Sequence, residues 1–275
     1  ISGAIVRTEK KLTALESDLK TAENAESQKI IADTLMSNIY LINKGITNCT
    51  LNNIYTNEKV EIELSPLLTP IENAQVYYKR YNKYKRAIQE INNQKQETKD
   101  LLQYLQSLDS SLQIATNKTE VAEIKQELLS EGIISENKKG KNKASLPKSS
   151  PLSISLSQDT IVYVGKNNRQ NDFVTFTIAK PHDLWFHTKG FPGSHVILKT
   201  SLSTPTEAEI VSAANLAAYF SKARNSSSVP VDYTERRFVK KPSGAKPGFV
   251  IYTNQQTLYV TPNQIDIENL LRQTE

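Results

Sequence analysis

TPIENAQVYYKRYNKYKRAIQEINNQKQETKDLLQYLQSLDSSL, residues 69–112, opens a helix and sustains it for some forty residues. Thr69 stands at the N-cap, Pro70 at the first helical position and Glu72 at the third, the pattern of a capping box. Tyr77, Tyr81, Tyr84, Ile88, Ile91, Lys95, Thr98, Leu102, Leu105, Asp109 and Leu112 then recur at heptad spacing, with polar interruptions at Lys95, Thr98 and Asp109. No Gly or Pro breaks the run. At ~1.5 Å per residue such a helix is about 60 Å long, more than the width of a small domain. So narrow an apolar stripe calls for a partner helix alongside it.

Residues 5–43 supply that partner. Leu12, Leu15, Leu19 and Ala22 follow a 3-4-3 spacing, and after a phase slip Ile31, Leu35, Ile39 and Ile42 continue it. The two helices are expected to form an antiparallel hairpin projecting from a body. Between them, Val60-Glu61-Ile62-Glu63-Leu64 alternates in β fashion, with a turn near Thr56-Asn57, so residues 45–68 are expected to cap the far end. A shorter helix over 119–131 should stop at Gly132 as its C-cap. Residues 135–151, SENKKGKNKASLPKSSP, are poor in apolar side chains and read as a basic flexible linker.

From Leu152 the pattern changes. Strands are predicted at Ile161–Val164, Phe173–Ile178, Leu184–Phe186, His195–Ile197, Val229–Tyr233, Arg237–Val239, Phe249–Tyr252 and Thr257–Val260. A helix over 206–223, started by Thr204, Pro205 and Glu207, interrupts them, and 264–275 can form a closing helix. Strands, one strong helix and more strands predict α+β with a mainly antiparallel sheet. The expected layout is an arm over 1–134 with its tip at 45–68, the linker over 135–151, and a second domain over 152–275.

The 275-residue chain carries a net charge of +5, unevenly spread. Residues 1–137 hold 16 Lys+Arg against 19 Asp+Glu, 138–149 hold five Lys and no acid, and 150–275 hold 13 against 10. Positive charge therefore collects in the linker and second domain, which suits a polyanionic partner. Cys49 is the single cysteine, so no intrachain disulfide can form. No apolar run approaches the ~18 residues of a membrane span. The start at Ile1 is expected to mark a piece of a longer protein, and cytoplasm is the expected compartment.

Four stretches concentrate chemistry. In YYKRYNKYKRA (77–87), Tyr77, Tyr81 and Tyr84 share one helix face while Lys79, Lys83 and Arg86 share the opposite one, free to meet phosphate or acidic protein. GKNNRQND (165–172) presents Lys166, Asn167, Asn168, Arg169 and Gln170 after a strand. Its Lys and Arg suit phosphate and its amides suit base edges, although Asn-Asn and Asn-Asp also make an ordinary polar hairpin loop. VKKPSGAKPGFV (239–250) sets Lys240, Lys241 and Lys246 among prolines and glycines, either a stiff basic loop for phosphate or a long polar hairpin. No nucleotide P-loop and no Gly-x-Ser-x-Gly elbow appears.

The fourth stretch, DLWFHTKGFPGSHV (183–196), admits three functional readings. His182, His187 and His195 with Asp183 could hold a metal, though the spacing is loose for zinc. His187 and His195 could act as acid and base in metal-free RNA cleavage, with Lys189 holding the developing charge. Or Trp185 or Phe191 could stack on bases while Lys189, Ser194 and the turn amides meet phosphate. Against all three stands plain core packing for Trp185. Alternation puts Leu184 and Phe186 on one face, Trp185 and His187 on the other.

ENAQVYYKRYNKYKRA (72–87), ELLSEGII (127–134), GKNNRQND, DLWFHTKGFPGSHVIL (183–198), AANLAAYFSKAR (213–224), VPVDYT (229–234) and VKKPSGAKPGFVIYT (239–253) together resemble the NFACT family, once called fibronectin-binding protein A-like. The strings cover almost the whole chain in the family's order. The resemblance implies that 1–134 is the family's coiled-coil middle arm and 152–275 its RNA-binding NFACT-R domain. It implies that a family N-terminal domain, with an Asp-Arg pair needed for tailing, lies outside this sequence. It further implies a non-enzymatic factor of ribosome-associated quality control with no cofactor, no metal and no obligate small molecule. Its partners would be the large ribosomal subunit (rRNA and stalk-base protein) and tRNA, including peptidyl-tRNA, with no membrane. The whole protein would recruit alanyl-tRNA for template-free C-terminal tailing of stalled chains. On this reading Lys166, Asn167, Asn168, Arg169, Gln170, His187, Lys189, Ser194, His195, Lys240, Lys241 and Lys246 contact RNA, and Lys79, Lys83 and Arg86 are contacts of the arm. The competing expectations are a fibronectin-binding surface adhesin and a metal-free RNA-cleaving domain.

Overall fold

A computed structural model of the chain describes residues 1–135 and 149–272. The expected linker falls mostly on residues 136–148, outside the described residues. The architecture is α+β, and the chain divides into two compact units, Val6–Leu101 and Ile1–Ile5 with Leu102–Glu275.

The first unit is built on α1 (Ser2–Ala22), α2 (Ala25–Ser37), a hairpin of β1 (Asn48–Asn52) and β2 (Lys59–Glu63), and the greater part of α3 (Pro70–Ile114). The capping box forms as read: the Thr69 N–H donates to Glu72 Oε2 at 2.7 Å, and the Glu72 N–H donates to Thr69 Oγ1 at 3.3 Å. Lys95 pairs with Glu16 at 3.1 Å, and Tyr78 donates to Asp33, so α3 runs antiparallel to α1 and α2. The expected single helix over 5–43 is two helices, broken at Glu23-Asn24 and followed by a 3₁₀ turn at Ile39–Leu41. The break coincides with the phase slip. Ala22 and Ala25 are both buried, one on either side of it. The β hairpin pairs Cys49 with Ile62 and Leu51 with Val60, and Asn57 takes the left-handed turn position at φ 59°. Ile62 and Leu64 pack with Ala32, Leu35, Ala74 and Tyr77 in one cluster. The heptad stripe of α3 is buried or half-buried from Tyr77 to Asp109, but Leu112 is exposed because the buried face turns to Leu108 and Ser111.

The second unit holds the end of α3, α4 (Lys118–Ser130) and a six-stranded antiparallel sheet. Its strands are β3 (Leu152–Ser155), β4 (Thr160–Val164), β5 (Leu184–Thr188), β6 (Val196–Thr200), β7 (Val229–Glu235) and β10 (Gln256–Val260), in the order β10-β7-β5-β6-β4-β3. Gly132, at φ +69°, ends α4 with the Ile133 N–H donating to the Leu128 carbonyl at 2.9 Å, the expected C-cap. On one sheet face Phe186, Val196 and Leu198 pack against Ala213, Ala214 and Ala217 of α6 (Glu207–Tyr219) and Ile267 of α7 (Gln264–Arg272). On the other, Trp185 and Ile197 pack against Val174 and Val239. β5 therefore alternates as the sequence predicts.

Four readings need correction. Residues 173–178, predicted as a strand, are the end of a short helix α5 (Asn168–Phe173) and a π-helical turn at Val174–Ile178. Both edges of β4 are already taken, by β3 and β6, so FVTFTI cannot join the sheet there and crosses its face instead, despite its β-favouring composition. GKNNRQND is not a hairpin loop but the start of α5. The helix over 206–223 is capped by Thr206 and Glu209 rather than Thr204 and Glu207, and ends at Tyr219. Only Val239–Lys240 (β8) and Ile251–Tyr252 (β9) of the strands expected at 237–239 and 249–252 form, as a two-residue pair.

Candidate nucleic-acid interface

The polar loop after β4 folds back on itself first. The Gly165 N–H donates to the His195 carbonyl at 3.0 Å, and a Cβ on Gly165 would lie 2.7 Å from the Asn171 backbone nitrogen, so only glycine fits. Asn167 Oδ1 accepts from the Gln170 N–H at 2.9 Å, capping α5.

Most of the remaining side-chain polarity of residues 166–170 meets α4, with further bonds to Ser107 and Ser149. Lys166 reaches Glu120 Oε1 at 2.8 Å, and the Asn167 amide donates to Glu123 Oε2 at 2.9 Å. Asn168 donates to Glu127 Oε1 and Ser107 Oγ, each at 3.0 Å. Arg169 donates to Ser130 Oγ at 2.9 Å, and Gln170 to Ser149 Oγ at 2.7 Å. Glu120, Glu123, Glu127 and Glu131 follow a 3-4-4 spacing, one face of a helix, and that spacing is the sequence signal for this contact. Burial works against ionising Glu120, but the Lys166 ammonium and the Thr116 N–H outweigh it and hold its carboxyl below the usual range. Among the described residues Glu127 has no such cation in direct contact. Burial raises its pKa although Tyr104 and Asn168 donate to it. Asn167, Asn168 and Gln170 are buried, whereas Arg169 is exposed.

A second cluster lies on the Trp185 face of the sheet. Trp185 is fully buried, and its Nε1 has no hydrogen-bond partner, so it is core and not a stacking platform. The rings of His187 and His195 lie 5.5 Å apart, both against Trp185. His195 is buried, its Nδ1 2.9 Å from Thr175 Oγ1, which the π turn carries under the sheet. Burial presses the His187 pKa down to about 4, and burial with the neighbouring His187 holds His195 well below its ordinary value. Burial thus disfavours the protonated form of both imidazoles. Opposite His187 on β7, buried Asp232 accepts from Thr257 Oγ1 at 2.6 Å and Tyr252 Oη at 3.0 Å, with Lys189 Nζ 3.9 Å away. His182 sits apart, paired with Glu235 at 2.9 Å. Among the described residues no three His, Cys, Asp or Glu side chains are grouped to hold a metal ion.

The 239–250 loop splits. Lys241 pairs with Asp172, and Lys246 with Glu131 at 2.9 Å, while Lys240 points to solvent with no acid paired to it among the described residues. Ser194 is buried, its N–H held by the Phe220 carbonyl at 2.9 Å. Of the cations predicted to contact RNA, the structure therefore leaves Arg169, Lys189, Lys240 and Lys241 exposed and Lys166 and Lys246 half-buried, with the amides turned inward. In the other unit Lys79, Lys83 and Arg86 are all exposed, opposite the tyrosine stripe.

Comparison with known proteins gives matches along the whole chain. A family model described as NFACT N-terminal and middle domains matches residues 1–146, and one described as NFACT protein RNA binding domain matches 153–254. A protein named Rqc2 homolog RqcH from Streptococcus suis (strain 05ZYH33) is 39% identical over 272 residues, covering 98% of this chain and 48% of the relative. Its namesake from Bacillus subtilis (strain 168) is 40% identical over 256 residues, covering 92% and 44%. The chain thus spans about half the length of the curated relatives it matches. A solved structure of the C-terminal part of the fibronectin/fibrinogen-binding protein from Streptococcus suis is similar with a TM-score of 0.74 at 35% identity, over 98% of this chain and 94% of that one.

Proposed function

The chain belongs to the NFACT family, and from that premise we propose that it is the arm and RNA-binding part of a ribosome-associated quality-control factor. The observation that carries the reading is the match of 153–254 to the family's RNA-binding domain, over the region where positive charge collects and where Lys189 and Lys240 stay exposed. The name RqcH on the relatives supports the same assignment.

In this proposal residues 1–134 form the arm, with Lys79, Lys83 and Arg86 as its contacts and 45–68 as its tip toward the stalk base. Residues 152–275 meet rRNA or tRNA through exposed cations, while the buried loop amides serve the joint with α4. The whole protein binds a large subunit obstructed by peptidyl-tRNA and recruits alanyl-tRNA for tailing. It works in the cytoplasm, and peptide bonds are made by the ribosome rather than by this chain.

Gradient sedimentation tests the reading. The full-length protein carrying this segment should migrate with large subunits that retain peptidyl-tRNA and not with empty ones. The competing expectation, a fibronectin-binding adhesin, makes the opposite prediction: retention on immobilised fibronectin with no subunit association.

A further inference from the structure

Two backbone hydrogen bonds strap the turn after β5 to the segment after α6. The Ser194 N–H donates to the Phe220 carbonyl and the Lys222 N–H to the Pro192 carbonyl, both at 2.9 Å, and together they set Gly193 opposite Ser221. The approach is so close that a Cβ on Gly193 would lie 2.7 Å from the Ser221 Cβ. Thr188 Oγ1 donates to the Phe191 carbonyl at 3.0 Å, and Gly190 takes the left-handed conformation at φ +75°. The turn is thus tied down on both sides.

What this strap displays is unpartnered. Phe191 is 40% exposed at the head of the turn. Lys222, exposed on the strapped segment, pairs with no carboxylate among the described residues. Arg224 has no carboxylate either, and its guanidinium lies 4.6 Å over the Tyr219 ring. An aromatic ring held in water on a rigid backbone, with Lys222 on the segment strapped to it and Arg224 two residues further on, both without a carboxylate among the described residues, suits a ligand with flat faces strung on a negative chain. An extended acidic protein offers the charge but not the flat faces. A duplex offers the charge but hides its bases.

We propose that Phe191, Lys222 and Arg224 form a site for single-stranded RNA, a base stacking on Phe191 while the two cations neutralise flanking phosphates. The proposal rests on the RNA-binding reading of this domain and adds to it a surface and a strand preference.

Fluorescence anisotropy on the whole chain, with a short single-stranded RNA and a hairpin duplex, tests it. Phe191→Ala should weaken single-strand binding about tenfold, the size of one lost base stack, and leave duplex binding unchanged. Lys222→Gln with Arg224→Gln should lower the single-strand salt slope by about 1.4, at ~0.7 per phosphate. Phe191 and Lys222 are exposed, so their single variants should leave thermal midpoints unmoved, and Lys222→Gln alone gives a second reading should Phe191→Ala or the double variant lose its fold. Wild-type binding that none of these variants weakens overturns this site and leaves the domain's RNA reading standing. Wild type that binds neither RNA overturns both. Displacement by polyglutamate as effective as by RNA of equal charge assigns the patch to an acidic protein instead and overturns the proposal.

Discussion

Residues 165–172 and 188–194 are both polar, glycine-bearing turns next to strands of one sheet, yet the structure uses them in opposite ways. The first turns its amides and Lys166 into the carboxylates of α4, where Asn168 and Glu127 are buried together. The second is held by its backbone, so Lys189 and Phe191 remain exposed. Polarity alone does not mark a binding loop. What separates the two is whether side chain or backbone satisfies the fold.

The largest expected effect removes the frame both turns hang from. Trp185→Ala, in a fully buried site, should cost about 3–5 kcal/mol in chemical denaturation. Next, Asn168→Ala removes one of the two donors to Glu127 and the donor to Ser107 and should cost about 1–3 kcal/mol, with RNA affinity unchanged in anisotropy; weakened RNA binding at undiminished stability would reverse the roles of the two turns.

Protons sharpen the contrast further. The folded His187 pKa lies near 4, below the ordinary 6.5, so between those values the unfolded chain takes up a proton that the folded one refuses. Stability should therefore fall as pH drops from 6.5 toward 4, and His187→Gln should flatten that part of a pH-denaturation profile. Glu127 acts in the other sense: burial raises its pKa, so Glu127→Gln should gain stability relative to wild type above its folded pKa and lose that advantage in acid.

The smallest effect belongs to the open side. Lys189→Gln and Lys240→Gln should move stability by no more than about 0.5 kcal/mol, while each lowers the RNA salt slope by about one phosphate contact. An unchanged slope would place RNA elsewhere on the domain.

Much of the fold was legible because its signals are local. The capping box at Thr69 and Glu72, the hairpin turn at Asn57, the Gly132 C-cap and the alternation of β5 each follow from a few neighbouring residues. The helix break at Glu23-Asn24 showed only as a phase slip. Residues 173–178 were misread because FVTFTI has strand composition, and the filled edges of β4 are a matter of sheet topology.

The candidate site was legible as residue types but not as roles. Lys, Asn and Gln in 165–172 mark a loop able to bind anions, and sequence cannot say that the anion is already there. The Glu120, Glu123, Glu127 and Glu131 stripe is visible by spacing, but its opposition to that loop depends on a fold that joins residues some forty positions apart.

By itself the sequence determined the long helix of the first half, its β-hairpin, the α+β second half and its positive charge, since periodicity, caps and composition act over a few residues. Only the tertiary structure decided which polar groups are spent inside the molecule. A buried hydrogen bond needs both partners brought within about 3 Å, and that distance is set by how the chain packs.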